Sequence, residues 1–259
     1  MNEEQKEIIR YLLTKKITIF CYNYTKKYHI SDIHLVYDDS KKMHYYLYEG
    51  KKMYFPKGKT DLEIKKYIQT LLVEQDEDSP HRYLSPHFIV SSGDIVFDIG
   101  AAEGIFSLSI IEKVSEIIIF EPEDVWFDAL KSTFEPWKEK VRIIKKFISD
   151  IDGEHSITLD TFCKVIPRID FIKADVEGFE LNLLKGAVKV IHNHPNLKIA
   201  ICTYHKHHDE MVLKHFLEEN GFSCHYSNGY IINILDKNLK KPYLRRAVIR
   251  ADNSQMHLK

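Results

Sequence analysis

Paired cysteines, a long apolar run, a dominant charge sign and internal repeats are all missing from this chain, and each absence removes a class of protein. The four cysteines, Cys21, Cys163, Cys202 and Cys224, are scattered and form no CxxC pair, so zinc-finger and redox-motif readings have no support. Such usage fits a reduced, cytoplasmic setting. No stretch reaches the roughly 20 apolar residues that span a bilayer, and the charged opening MNEEQKEIIRYLL is not expected to act as a signal peptide. The 37 basic and 38 acidic residues leave a formal net charge of -1. That balance gives no global field to attract nucleic acid or an anionic membrane, and the Lys-rich stretches read as solvated faces. GxGxxG and HExxH are absent as well, and residues 79–259 hold no YxxxK-type catalytic pair. The lack of GxGxxG and of a YxxxK-type catalytic pair weakens a nicotinamide-dependent sugar oxidoreductase, which stays open as an alternative.

What is present divides at about residue 78. Residues 1–78 read as a small α+β extension. An amphipathic helix over Glu3–Lys16 precedes a meander of Ile33–Tyr37, Met43–Tyr48 and Met53–Phe55. Thr60, with Glu63 at the capping-box position, starts a helix over Asp61–Val73. The acidic run Glu74–Asp78 is the expected linker. Tyr45, Tyr46, Tyr48 and Tyr54 are expected to be half-buried sheet residues, with a sugar-stacking wall or a dimer contact as alternatives.

Residues 79–259 alternate strand and helix. Strands are expected at Asp94–Ile99, Glu116–Phe120, Val141–Ile148, Ile169–Ala174, Leu197–Cys202, Ser223–Tyr226 and Tyr230–Leu235. Helices are expected at Gly104–Lys113, Asp124–Phe134, Phe179–His192 and Asp209–Asn220. This alternation implies a largely parallel sheet with helices on both faces, whose ligands bind beyond the carboxyl ends of the strands.

Those strand ends carry carboxylates. The first reads DIGAAEG, Asp98–Gly104. Gly100 allows a tight turn, while Asp98 and Glu103 make the loop a poor phosphate cradle and suit ammonium and sulfonium charges. Glu121 in IIIFEP lies about 20 residues on, where an acid can accept both ribose hydroxyls. In FISDIDG, Asp150 suits either acceptance from an adenine amino group or a plain turn. In IDFIKADVEGFELNLLKGA, Asp175 tips the strand, Glu177 follows, and Glu180 reads as a first-turn acid favoured by the helix dipole.

DIGAAEGIFSL, FEP, SDIDG and DFIKADVEGFELNLLKGA, in this order, resemble the FkbM family of S-adenosylmethionine-dependent methyltransferases over roughly Ser79–Leu235. The resemblance implies a Rossmann-like class I methyltransferase sheet and O-methylation, often of sugars. It puts Asp98, Gly100 and Glu103 near the amino-acid end of the cofactor, Glu121 at the ribose, Asp150 at the adenine and Asp175 near the transferred methyl group. Ala102-Glu103 departs from the Asn-Ile of many relatives.

The TYHKHHDE segment adds His205 over the same rim as Asp175. Asp175 and His205 are the expected catalytic pair, His205 serving as base. Asp175, Glu177 and His205 are alternatively ligands for a divalent metal, Mn²⁺ or Mg²⁺. His81, Arg82 and Tyr83, with Glu177, are candidates for contact with substrate, although the His81–Tyr83 segment equally suits docking of the N-terminal part. The expected acceptor is a sugar, with a nucleotide-activated sugar for surface polysaccharide biosynthesis preferred. Neither nucleic acid nor membrane insertion is expected, and a homodimer is the default assembly. A binding protein of the same fold without chemistry is the third alternative.

Overall fold

The computed structural model describes residues 1–166, 168–236 and 239–254. The N-terminal part holds α1 (Glu3–Leu12), the antiparallel meander β1 (Leu35–Asp38), β2 (Met43–Tyr48) and β3 (Lys51–Tyr54), and α2 (Asp61–Glu74). The capping box closes α2 as the sequence implies: the Glu63 amide donates to Thr60 Oγ1, and the Thr60 amide donates to the Glu63 carboxylate at 2.8 Å.

The second part supplies β4 (Ile95–Ile99), α3 (Ile105–Ile110), β5 (Glu116–Phe120), α4 (Asp124–Phe134), β6 (Val141–Ile144), β7 (Phe147–Ile148), β8 (Ser156–Ile157), α5 (Leu159–Phe162), β9 (Phe171–Ala174), α6 (Glu180–Lys185), α7 (Val188–Asn193), β10 (Lys198–Cys202), α8 (Asp209–Glu219), β11 (Ser223–Tyr226) and β12 (Val248–Asp252). The main sheet has seven strands in the order β11-β12-β10-β9-β4-β5-β6, with β12 antiparallel to both neighbours. This is the Rossmann-like α/β sheet that the alternation implies. Side chains alternate across it. Ile117 and Ile119 pack with α3, α4 and the N-terminal part, whereas Ile118 and Phe120 pack with the apolar faces of α5 to α8.

Four expectations need correction. The strand expected over Val141–Ile148 is two, because the chain leaves the main sheet after Ile144, and β7 pairs instead with β8. The helix expected over Phe179–His192 breaks into α6 and α7 at Gly186. A Cβ at Gly186 would lie 2.0 Å from the Ser149 carbonyl oxygen, so only glycine lets the junction rest on the β7 loop. Tyr230–Leu235 forms a single bridge from Ile231 to Arg245 rather than a strand. The sheet is completed by β12, whose apolar residues are interrupted by Arg250. Finally, Glu74–Asp78 is no linker: Asp76 is 5% exposed and accepts from Tyr28 Oη at 2.6 Å and from Lys27.

The N-terminal part shares one apolar cluster with the sheet. Ile8, Phe20, Ile64, Ile68 and Leu71 join Val96, Phe106 and Val248 in it. Tyr45 and Tyr54 pack against each other beside α4, and none of the four meander tyrosines lines the central cavity. Among the described residues no helix is long and apolar enough to cross a membrane, and all four cysteines are free.

Candidate active site

A cavity of about 750 Å³ opens beyond the carboxyl ends of β4, β5 and β9, the place where ligands bind in such sheets. Its glycine loop is fixed by close packing. Gly100 has φ +73, and a Cβ there would lie 1.8 Å from the Asp175 carbonyl oxygen, so the loop after β4 rests directly on the tip of β9. Lys173 Nζ donates to the Gly100 carbonyl at 2.5 Å and pairs with Asp98 at 3.1 Å.

The structure sorts the residues proposed from sequence. Gly100, Glu103, Glu121, His81, Tyr83, Asp175 and Glu177 line the cavity; Asp98, Asp150, Arg82 and His205 do not. Asp98 lies fully buried beneath the floor, paired with Lys173 and accepting from Ser107 at 2.7 Å. Asp150 accepts from Asn182 at 3.0 Å and from Ser149, and only Ser149 reaches the wall. Arg82 contributes its backbone carbonyl to Arg250 at 2.7 Å.

Glu121 is 4% exposed and accepts one backbone amide on each carboxylate oxygen, from Ala102 at 2.8 Å and Glu123 at 2.9 Å. Burial raises its proton affinity, with the two amides opposing. Each oxygen keeps a second lone pair. Glu103 accepts from Tyr67 Oη at 2.7 Å, and burial, opposed by that bond, pushes its carboxyl up to about 7.

Beyond β9, Tyr83 Oη donates to Asp175 Oδ2 at 2.9 Å. Burial alone would favour the protonated Asp175, but the charges of His205 and Lys173 outweigh it and hold the carboxyl below its usual value. His205 Nδ1 donates to Glu180 Oε1 at 2.8 Å, and its Nε2 lies 3.4 Å from Asp175 and 3.6 Å from Glu177. Burial disfavours the imidazolium, yet the Glu180 hydrogen bond and the surrounding carboxylates prevail and raise His205 to about 9. His205 is not among the residues that line the cavity, and it meets Asp175 from behind the wall as a cation, an arrangement that differs from the expected neutral base. His81 is its opposite: burial pushes it down to about 4, and its neutral ring meets Tyr204 Oη at 3.1 Å.

The metal expectation changes in its residues. Among the described residues two compact groups could each offer three ligand atoms, Asp175, Glu180 and His205, and His81, Asp175 and Cys202; Glu177, 87% exposed, lies outside both. In the first group Asp175 Oδ1, Glu180 Oε2 and His205 Nε2 are buried without a hydrogen-bond partner among the described residues.

Sequence reasoning missed Lys173, Tyr67, Glu74, Tyr204 and Arg250. Lys173, the lone cation in the apolar run of β9, carried a readable signal. The others are joined to the site only by the fold. Arg250 on β12 donates to the carbonyls of Arg82, Tyr83 and Leu84, which fixes the segment bearing His81 and Tyr83 against the cavity.

Comparison with known proteins follows this geometry. Residues 115–224 match the methyltransferase FkbM domain model; the glycine loop lies upstream of the matched span. The crystal structure of methyltransferase FkbM from Methylobacillus flagellatus is similar, at 18% identity and a TM-score of 0.51 over 74% of this chain and 53% of that one. The present chain thus spans about half of that structure's length. A precorrin-6y C5,15-methyltransferase from Geobacter metallireducens superposes with a TM-score of 0.44 at 12% identity, covering 64% of this chain and 81% of that one. No curated protein matches the sequence.

Proposed function

From the premise that this chain carries an FkbM methyltransferase domain over residues 115–224, we propose that it is an S-adenosylmethionine-dependent O-methyltransferase acting on a sugar hydroxyl. A nucleotide-activated sugar for surface polysaccharide biosynthesis is the acceptor class we favour. The observation that carries the reading is the single cavity in which a glycine loop, Glu121 and Asp175 converge from three adjacent strand ends. Its carboxylates suit a molecule bearing ammonium and sulfonium charges. Glu121 has lone pairs free for two ribose hydroxyls, and the cofactor, when bound, supplies an electrophilic methyl group.

The chain's own residues define the rest. Glu103 lies on the glycine loop, where it meets the amino-acid end. Asp175, held anionic, stands beside the acceptor oxygen, on which positive charge develops as the methyl group arrives; a preorganised anion there stabilises that charge. His205 and Lys173 keep Asp175 ionised, and the Tyr83 hydroxyl fixes its rotamer. No step passes through a metal. Isothermal titration tests the reading: S-adenosylhomocysteine is expected to bind and NAD is not. Binding of NAD alone would instead establish the oxidoreductase reading.

A further inference from the structure

Transfer to a hydroxyl leaves a proton that some group must take, and most cavity residues are unsuited to it. Asp175 is stabilised as an anion by its partners and has low proton affinity. His205 already carries its proton. The His81 ring, pushed down to about 4, is a weak base. Glu121 and Glu103 are engaged by backbone amides and by Tyr67.

Glu74 remains. It is the last residue of α2, contributed by the N-terminal part, and it lines the cavity half-buried. Among the described residues no group hydrogen-bonds or ion-pairs with its carboxylate. Asp175, Glu103 and Glu177 face it as like charges and Lys173 as the opposing one, while Tyr83 and Tyr204 lie within its field.

We propose that Glu74 is the catalytic base that accepts the proton of the methylated hydroxyl; this rests on the O-methyltransferase reading. The acceptor oxygen forms a bond to the methyl carbon as the carbon–sulfur bond breaks and its electron pair returns to sulfur. The hydroxyl proton passes to the Glu74 carboxylate and then to solvent. Burial, reinforced by Asp175 and Glu103, raises Glu74 to about 8, so its base form grows as pH rises to that point. A base of that strength is matched to work near neutral pH.

The test has two readouts on the full chain. Infrared titration with S-adenosylhomocysteine bound should show a carboxylic-acid band that ionises near pH 8 and vanishes in Glu74→Gln; a wild-type spectrum without that band overturns the proposal. Methyl transfer is then compared on methyl β-D-glucopyranoside, which must lose a hydroxyl proton, and on 1-thio-β-D-glucose, used above the thiol's pKa as a thiolate that needs no base. Glu74→Gln should lose about a hundredfold on the hydroxyl probe and less than about threefold on the thiolate. Equal loss on both probes, or no loss on either, overturns it. Failure of the wild type to bind S-adenosylhomocysteine is a separate result, which removes the methyltransferase reading itself.

Discussion

The two ends of the cavity are built differently. The glycine-loop end is backbone: Gly100 against the Asp175 carbonyl, and Glu121 held by two amides. The opposite end is side chain: Asp175, His205 and Tyr83 held by one another, with Glu74, His81 and Tyr204 brought in from distant parts of the chain. A backbone-built end tolerates loss of one side chain with a local cost in binding. A network of charges fails as a unit, since each member is the desolvation remedy of the next.

The sharpest way to break the network is His205→Ala. It leaves Glu180, fully buried, without its cationic partner, and removing one member of a buried pair costs about 3–5 kcal/mol. Urea unfolding checks this. Because the folded state raises His205 from 6.5 to about 9, the charged-pair contribution is complete below about pH 6.5 and is lost as pH rises through about 9. The gap between wild type and variant should therefore narrow across that window; a gap independent of pH would mean the imidazolium is not the stabilising species.

Next in size is Asp175→Asn, which keeps shape and removes charge. Turnover should fall about a hundredfold, with S-adenosylhomocysteine affinity nearly unchanged in calorimetry. A parallel loss of affinity would erase the distinction between the two ends. At the backbone-built end, Glu121→Ala should weaken that affinity by at least about tenfold, since lost hydrogen bonds to a charged acceptor are worth about 1.5–3 kcal/mol each, while the unfolding midpoint moves little. The smallest expected effect is that of EDTA, which should leave turnover intact; activity abolished by chelation and restored by Mn²⁺ or Mg²⁺ would return His205 to the role of a neutral ligand.

The same contrast explains what the sequence allowed to be read. The glycine-loop end is local: each strand tip and its loop are contiguous, so DIGAAEG and FEP announce both fold and placement. The network end depends on long-range closure. Glu74 sits in an acidic run that resembles a linker until α2 is laid across the strand ends. His205 reads as a base because histidine is near neutrality in water, and its surroundings of Glu180, Asp175 and Glu177 come only with the fold. Arg250 hides in a strand that the arginines around Ala247–Ile249 disguise. Asp98 was legible as important but not as buried, because its partner Lys173 lies 75 positions on (173 − 98).

The position of β12 carries a consequence for how the molecule comes into being. This strand enters the interior of the sheet, between β10 and β11, and its Arg250 grips the carbonyls of Arg82, Tyr83 and Leu84. During synthesis the glycine loop and its neighbouring strands emerge long before residue 248. The wall bearing His81 and Tyr83 lacks its anchor until Arg250 has left the ribosome. A nascent chain can thus assemble the backbone-built half of its cavity first, while the charge network closes last, so a chain cut short before Val248 would have one half without the other.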